Sequence, residues 1–571
     1  MRHGARVVAT EPGTERACAR GRDRRVKCML PFILIERVAH TPTGKVTQMT
    51  ASRLLLATAL TGALAVPALA QEQGARNVIL MISDGAGFNG WLAADYYQGL
   101  AGQQSYQVAR PDGTTPVVYG LAHDSLALID EIGAVLPNGA DPAEAAGAVE
   151  QGYDPRTRWT RFENTFRNDF PPVEETYTSY TDSAAAGTTL QAGRKTANGR
   201  LNLDWTGTEE FTPIAQIAID QGRAAGAVSS VMLSHATPAS TIAHNVSRNN
   251  YVEIATEMFE SDLDVIMGAG HPFYDNSGNE VEPEDEGAYR FVGGPEMLER
   301  LTSEEGIGGA TFIDAKAQFE ALAEGGDLPE RVIGIARAGS TLQASREGLA
   351  EADTPSGMAM NPVVPDLATM TVGALNVLNQ NENGFFLMSE GGAVDWMGHA
   401  NDMPRFIEEQ IDFNEAVDAV ITWVEENSSW DETLLIVTSD HETGGIWGEG
   451  TFTNVGGPAV AEERTDAALE AANFHPAEDM FNEFLAVQDR GAGNIPGHQW
   501  ASDRHTNELV PLWAIGAGAD AFAEFAQTDL KAAELWGTPY GWDGAFVDNT
   551  AVFHVMNEAF ATNARIMAPS Q

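Results

Sequence analysis

Beyond residue 70, short apolar runs alternate with segments of helical period, the pattern of an α/β fold. The run Asn77–Ser83 (NVILMIS) predicts a buried strand ending at Asp84-Gly85. Residues 224–233 predict a second, ending before Ser234-His235. Residues 385–389 predict a third, ending at Glu390-Gly391, and residues 434–439 a fourth, ending at Asp440-His441. Residues 332–335 and 512–515 are further strand candidates. Helices are expected over 213–221, with Thr212 as N-cap and Pro213 at the first position, over 365–379 and over 404–426. The acidic, turn-rich stretch 275–287 reads as a loop, and no internal repeat is present. The fold class that follows is α/β, with a central, mostly parallel sheet flanked by helices on both faces and loop insertions near 99–176 and 448–494.

Several of these strands end in Asp, Glu or His. In open α/β sheets, ligands bind beyond the carboxyl ends of the strands. Asp84, His235, Glu390, Asp440 and His441 are therefore expected to converge on one edge.

The start of the chain has a different character. From Met49 the sequence carries a basic flank at Arg53, an apolar run from Leu54 and the small-x-small pattern Ala68-Leu69-Ala70. Residues 49–70 are thus expected to be a secretory signal peptide; the run is short and holds a proline, unlike a membrane span. A signal begins a chain, so residues 1–48, Arg-rich and without sustained amphipathic period, are expected to be an upstream mistranslation. Residues 71–571 would then form a single catalytic domain, periplasmic or secreted, with no stable membrane anchor. Both cysteines, Cys18 and Cys28, lie in the removed part, which leaves neither a disulfide nor a thiolate metal ligand. The formal net charge is −47, and removal of the cation-rich start makes it more negative. Such a surface repels nucleic acid and anionic membranes, and suits a protein kept soluble in saline surroundings.

Chemistry-bearing residues cluster in short blocks. In E390-GGAVD-WMGH, Asp395 and His399 are one helical turn apart, where both can chelate one ion. Asp440-His441 open SDHETGG, and His505 follows in DRHTNELVPLW. Together with Asp84 these supply oxygen and nitrogen ligands for two or three ions, His with carboxylate suiting zinc and oxygens alone suiting magnesium. In TDSAAAGTTLQAGRK, Ser183 precedes an Ala-rich helix, where the helix dipole favours an alkoxide and a bound phosphate; as a plain structural feature, Asp182 or Ser183 is the helix N-cap. In His235-Ala-Thr237-Pro, a short helix is expected to start, with Arg248 at its far end; arginine's fork matches phosphate oxygens.

Six blocks in order, SDG, TDSAAAGT, SHATPAS…SR, SEGG..D…H, SDHETGG and HT…VP, resemble the alkaline phosphatase family from Asp84 to Val510. The resemblance implies hydrolysis of phosphate monoesters at a site with two zinc ions and one magnesium ion. It implies that Asp395, His399 and His505 hold the first zinc, and that Asp84, Asp440 and His441 hold the second, facing Ser183. Glu390 and Thr237 match the magnesium site, with Asp84 bridging. Ser183 is then the nucleophile, and Arg248, at the family's spacing from His235, binds the phosphoryl group. The chain departs from the pattern at His235, a metal position where some members carry Asp, and at Trp396, where some carry a lysine. These departures bear on magnesium preference, phosphate release and pH optimum.

Rival expectations are a phosphodiesterase, sulfatase or phosphosugar mutase on the same scaffold, and a non-catalytic secreted metal-binding protein. Glu390 and Thr237 favour monoesters, the lack of cysteine after residue 70 disfavours a sulfatase, and the signal disfavours a mutase. A binding protein would have lost Ser183 or Arg248, and both are present. The expected partners are small phosphate monoesters of broad specificity, no nucleic acid, and a second copy of the chain as a homodimer.

Overall fold

A computed structural model describes residues 74–133, 136, 142–150, 152–155, 180–304, 306–451 and 484–567. The expectations for residues 1–48 and 49–70 lie outside the described residues, as do parts of the two stretches read as insertions.

Seventeen strands are described: β1 Asn77–Ser83, β2 Val117–Ala122, β3 Leu126–Ile129, β4 Gly147–Glu150, β5 Ala224–Met232, β6 Val265–Ala269, β7 Thr311–Ile313, β8 Val332–Ile335, β9 Phe385–Gly391, β10 Thr433–Thr438, β11 Glu442–Thr443, β12 Ile446–Trp447, β13 Gln499–Trp500, β14 His505–Thr506, β15 Val510–Gly516, β16 Gln527–Thr528 and β17 Ala545–Asp548. Eleven of them make one sheet, in the order β16-β17-β2-β15-β10-β1-β9-β5-β6-β8-β7. From β10 to β7 every neighbouring pair is parallel, whereas β15 runs antiparallel to both β10 and β2.

The central strand β1 explains how the sheet is covered. All seven of its residues are buried. Ile79 and Met81 enter one apolar core, while Val78, Leu80 and Ile82 enter a second. Because successive side chains point to opposite faces, these cores are the two faces of the sheet. The helices Phe88–Gln98, Leu367–Leu378 and Met403–Asn427 supply the first core, and Ser183–Ala192, Ile214–Asp220, Tyr251–Glu260 and Thr550–Met567 the second. The fold is the expected α/β class: mostly parallel, with helices on both faces.

Local differences have local causes. Pro213 has an extended backbone and is itself the N-cap of Ile214–Asp220, so Thr212 lies outside the helix. The helix expected to run from Thr237 to Arg248 is only Ala236–Ala239, capped by His235. Beyond it Asn245 bridges Leu201 and the Arg248 amide donates to the Gly199 carbonyl, which draws Arg248 into the loop before Tyr251–Glu260. Within 99–176, β2 (VVYGLA) joins the main sheet between β15 and β17. The described part of 448–494 contains no strand of the main sheet.

Candidate active site

Four parallel strands deliver the functional side chains to one edge. Asp84 follows β1, Glu390 lies near the end of β9, Asp440 and His441 follow β10, and His235 follows β5. In register, Ile82 of β1 pairs with Glu390 and with Thr438, while Glu390 pairs with Ser229 of β5. The turn after β1 requires glycine. Gly85 has φ +79°, and a Cβ there would lie 2.6 Å from Cα of Asp395 and 2.9 Å from Oγ1 of Thr443. The Asp84 turn thereby packs directly against the Ala393–His399 helix that carries Asp395 and His399.

His505 arrives from distant sequence. The short strands β11 and β14 pair antiparallel, with Thr443 opposite His505. This stacks the His441 and His505 rings at 3.7 Å between centroids. Nδ1 of His505 lies 2.7 Å from the Thr181 carbonyl, and Nδ1 of His399 lies 2.7 Å from the Asp503 carbonyl. Donation from these Nδ1–H groups orients both rings with Nε2 facing inward, the orientation metal-binding histidines adopt.

The donors fall into sets. Asp395, His441 and His505 each offer an atom within 4.8 Å of the others, and so do Asp84, Asp440 and His441. Nε2 of His399 lies 3.4 Å from Asp395 Oδ1 and 3.1 Å from His505 Nε2, which brings it to the first set. Beside the second set, Oε1 of Glu390 and Oγ1 of Thr237 are buried without a hydrogen-bond partner, as are both oxygens of Asp84 and Oδ2 of Asp440. Unpaired buried oxygens are costly, and a cation between them offsets that cost. The residues present therefore fit bound metal ions.

Electrostatics point the same way. Burial, reinforced by Asp440, Asp395 and Glu390, pushes the Asp84 carboxyl well above its usual range. Burial raises Glu390 to about 7 and Asp440 to about 6. Burial would also raise Asp395, but His399, His505 and His441 outweigh it and hold its carboxyl well below the usual range. Burial and the charge of His505 keep His441 neutral. Carboxylates this close cannot all stay charged in a dry site without cations.

Ser183 is the first residue of the Ser183–Ala192 helix, and Asp182 is its N-cap, accepting from Ala185 N at 2.9 Å. The capping role thus belongs to Asp182 and leaves the Ser183 hydroxyl for the site. Oγ of Ser183 lies 3.2 Å from Nε2 of His441, a member of both donor sets. Arg248 reaches the same place from its loop, with Nη1 donating to Oδ2 of Asp182 at 3.1 Å. Ser183, His235, Arg248, Asp395, Trp396, His399 and His505 line a cavity of about 510 Å³.

His235 belongs, like Glu390, to neither of the two tight donor sets among the described residues. Its ring packs edge-on to Trp396 at 5.8 Å, and burial together with Arg248 pulls its pKa down to about 3. It presents a neutral imidazole to the cavity wall, with Nδ1 buried and unpartnered.

Two polar contacts here escape the sequence reading, which takes Asp182 only as a cap and does not single out Thr443. Thr443 donates to Asp395 Oδ1 at 2.5 Å, and Asp182 accepts from Arg248 as well as capping the helix. Both sit inside recognised blocks, but nothing local in SDHETGG or TDSAAAGT reveals partners so far along the chain.

Comparison with known proteins places this chain in a family. The alkaline phosphatase family model matches residues 160–535. Alkaline phosphatase 4 of Bacillus subtilis is 29% identical over 377 residues, 60% of this chain and 73% of that protein. Alkaline phosphatase 3 of the same organism is 28% identical over 399 residues, 62% of this chain and 77% of that protein. The solved alkaline phosphatase of the Antarctic bacterium TAB5 shares the fold, with TM-score 0.50 at 21% identity, covering 86% of this chain and 100% of that one. The chain belongs to the alkaline phosphatase family. No helix among the described residues is long and apolar enough to cross a membrane.

Proposed function

We propose that this protein hydrolyses phosphate monoesters to an alcohol and inorganic phosphate through a phosphoserine at Ser183. The observation that carries the reading is the placement of the Ser183 hydroxyl at a helix N-terminus, 3.2 Å from His441 and in one cavity with Arg248. In this reading Asp395, His399 and His505 hold one zinc ion, and Asp84, Asp440 and His441 hold a second. Glu390 and Thr237, with Asp84 bridging, hold magnesium, and His235 is a further metal-site residue beside them. Bound there, the ions would lower the pKa of the serine hydroxyl and of water and offset charge on the oxygens of the reacting phosphoryl group.

The chain's own residues do the rest. Ser183 Oγ forms a bond to phosphorus as the bond to the alcohol oxygen breaks, the serine proton passing to water in the cavity and the alcohol taking up a proton as it leaves. Arg248 binds two phosphoryl oxygens through its fork, where transition-state charge gathers. The amides at the start of the Ser183–Ala192 helix favour the same anion. In the second step a water oxygen attacks phosphorus, the Ser183 oxygen leaves and regains a proton, and phosphate departs. Contacts centred on the phosphoryl group leave the alcohol loosely selected, which supports broad specificity.

The reading extends to processing. Residues 49–70 act as a secretory signal, translation starts at Met49, and residues 71–571 work as one catalytic domain in the periplasm or outside the cell. Peptide mapping of the native precursor that recovered residues 1–48 would refute the Met49 start.

The deciding assay compares p-nitrophenyl phosphate with bis-p-nitrophenyl phosphate on the purified protein from neutral to alkaline pH, with chelator and after metal return. Monoester turnover lost with chelator and restored by zinc plus magnesium is the expected result. Dominant diester turnover would move the chain to a phosphodiesterase activity, and no turnover with metal bound would leave a binding protein.

A further inference from the structure

Behind the Ser183 helix lies a second cluster of carboxylates that the proposed chemistry does not use. Asp124, Glu150 and Asp548 each bring an oxygen within 4.8 Å of the others. Asp548 ends β17 and pairs in register with Ala122 at the end of β2, two residues before Asp124. The cation among them is internal. Nζ of Lys195 lies 2.7 Å from Asp124 Oδ1 and 2.8 Å from Asp548 Oδ2, and its side chain is 7% exposed. Burial alone would weaken this ammonium, but Asp124 and Asp548 outweigh it and raise its pKa.

Lys195 follows the C-cap of the helix that Ser183 begins. The loop it anchors runs back toward the start of that helix. Thr196 O accepts from Leu126 N at 2.9 Å. Asn198 brackets the residues before Ser183, its Nδ2 donating to Tyr180 O at 2.6 Å and its Oδ1 accepting from Asp182 N at 3.0 Å. Gly199 N donates to Asp182 Oδ2 at 3.0 Å, while Gly199 O accepts from the Arg248 amide at 2.8 Å. Asp124 closes the circuit through a backbone bridge to Tyr180. One loop thus touches the approach to the nucleophile and the backbone of the phosphate-binding arginine, and its fixed end is Lys195.

We propose that Lys195 is a positioning residue: its ammonium, seated between Asp124 and Asp548, locks the 194–199 loop that sets Ser183 and Arg248 relative to each other. Its kinetic consequence rests on the phosphatase reading; its structural consequence does not. Removing the ammonium leaves three carboxylates facing one another in a partly buried site, so the loop is pushed off its seat rather than simply loosened. Displacements of about an ångström at reacting groups are enough to cost about a hundredfold in rate.

The test is Lys195→Gln in the full chain, read by steady-state kinetics on p-nitrophenyl phosphate and by hydrogen exchange. The expected result is a kcat lower by about ten- to a hundredfold with KM within about threefold, and exchange of the 180–186 amides faster by about tenfold while β1 and β9 keep wild-type protection. Asp548→Asn removes one of the two charges that seat the ammonium and should give smaller shifts in the same direction; it carries the test if the glutamine variant does not fold. Unchanged 180–186 exchange in the folded variants overturns the proposal, as does exchange raised equally in β1 and β9, which would make Lys195 a general stabiliser. A wild-type kcat alongside faster local exchange also overturns it. If the wild-type protein hydrolyses no phosphomonoester, the phosphatase reading fails, and the exchange measurements still judge the clamp.

Discussion

Oδ2 of Asp182 accepts from Arg248 at 3.1 Å, and Oδ1 of the same side chain accepts from Ala185 N at 2.9 Å. One carboxylate therefore caps the helix that begins at Ser183 and holds the arginine across the cavity from it. The two duties separate by mutation. Asp182→Asn keeps an acceptor for Ala185 but presents an amide NH2 in place of the oxygen that accepts from Arg248 and Gly199 N, so thermal stability should fall by about 1 kcal/mol while kcat/KM falls by about tenfold, the scale of one weakened charged hydrogen bond. Asp182→Ala should also lose about 1 kcal/mol of stability with the cap. Wild-type kcat/KM in the asparagine variant would mean that other contacts place Arg248.

Ser183→Ala tests the nucleophile directly. The clustered histidine and carboxylate donors are untouched by the change, so bound-metal content should persist. Turnover should fall by roughly a thousandfold or more, as for other covalent nucleophiles. Metal analysis beside a single-turnover assay checks both halves. Retained turnover would mean that another group, or water alone, attacks phosphorus.

How much of this was legible in the chain follows from where the information sits. β1, β5, β9 and β10 are continuous apolar runs ending in Asp, Glu or His, so both the parallel sheet and its reactive edge could be read from periodicity and punctuation. The strand β2 lies in a stretch rich in turn residues, which reads along the chain as an insertion; its place is decided by antiparallel pairing with β15, some 390 residues away. Arg248 was recognised by its block yet given the wrong local structure, because the bridge from Asn245 to Leu201 ends the helix early. Lys195 had no signal at all, since its partners Asp124 and Asp548 lie far off on either side in sequence.

The stabilisation that bound metal supplies should depend on pH. In the metal-free protein Asp440 is raised to about 6 and Glu390 to about 7, above their ordinary values of 3.8 and 4.5. The unfolded chain then releases these protons first, so the contribution of these two carboxyls to metal-free stability falls as pH rises from about 4 to about 7, while His235 and His441, whose pKa values are depressed, act in the opposite sense. Metal binding needs the deprotonated ligands and so strengthens over the same window. Thermal unfolding with excess chelator should show Tm lower by roughly 5–10 °C at pH 8 and a smaller gap at pH 5.5. Equal Tm values with and without chelator at pH 8 would count against cations at these carboxylates.

A buried carboxyl away from the site predicts a stabilising substitution. Asp412, on the Met403–Asn427 helix, is raised to about 7, chiefly by burial and then by Asp366 and Glu415. Its folded pKa lies above the unfolded 3.8, so it opposes folding increasingly from about pH 4 to pH 7 and by a constant amount above that. Asp412→Asn keeps an oxygen for the Leu367 amide that donates to it and removes the ionisation. The variant should therefore gain on the order of 2–4 kcal/mol at pH 8, where the aspartate must be charged, and only about 1 kcal/mol at pH 4.5. Denaturant unfolding at the two pH values measures the difference. A gain of the same size at both would place the benefit in packing, and a loss at both would show that the second carboxylate oxygen makes a contact the amide cannot replace.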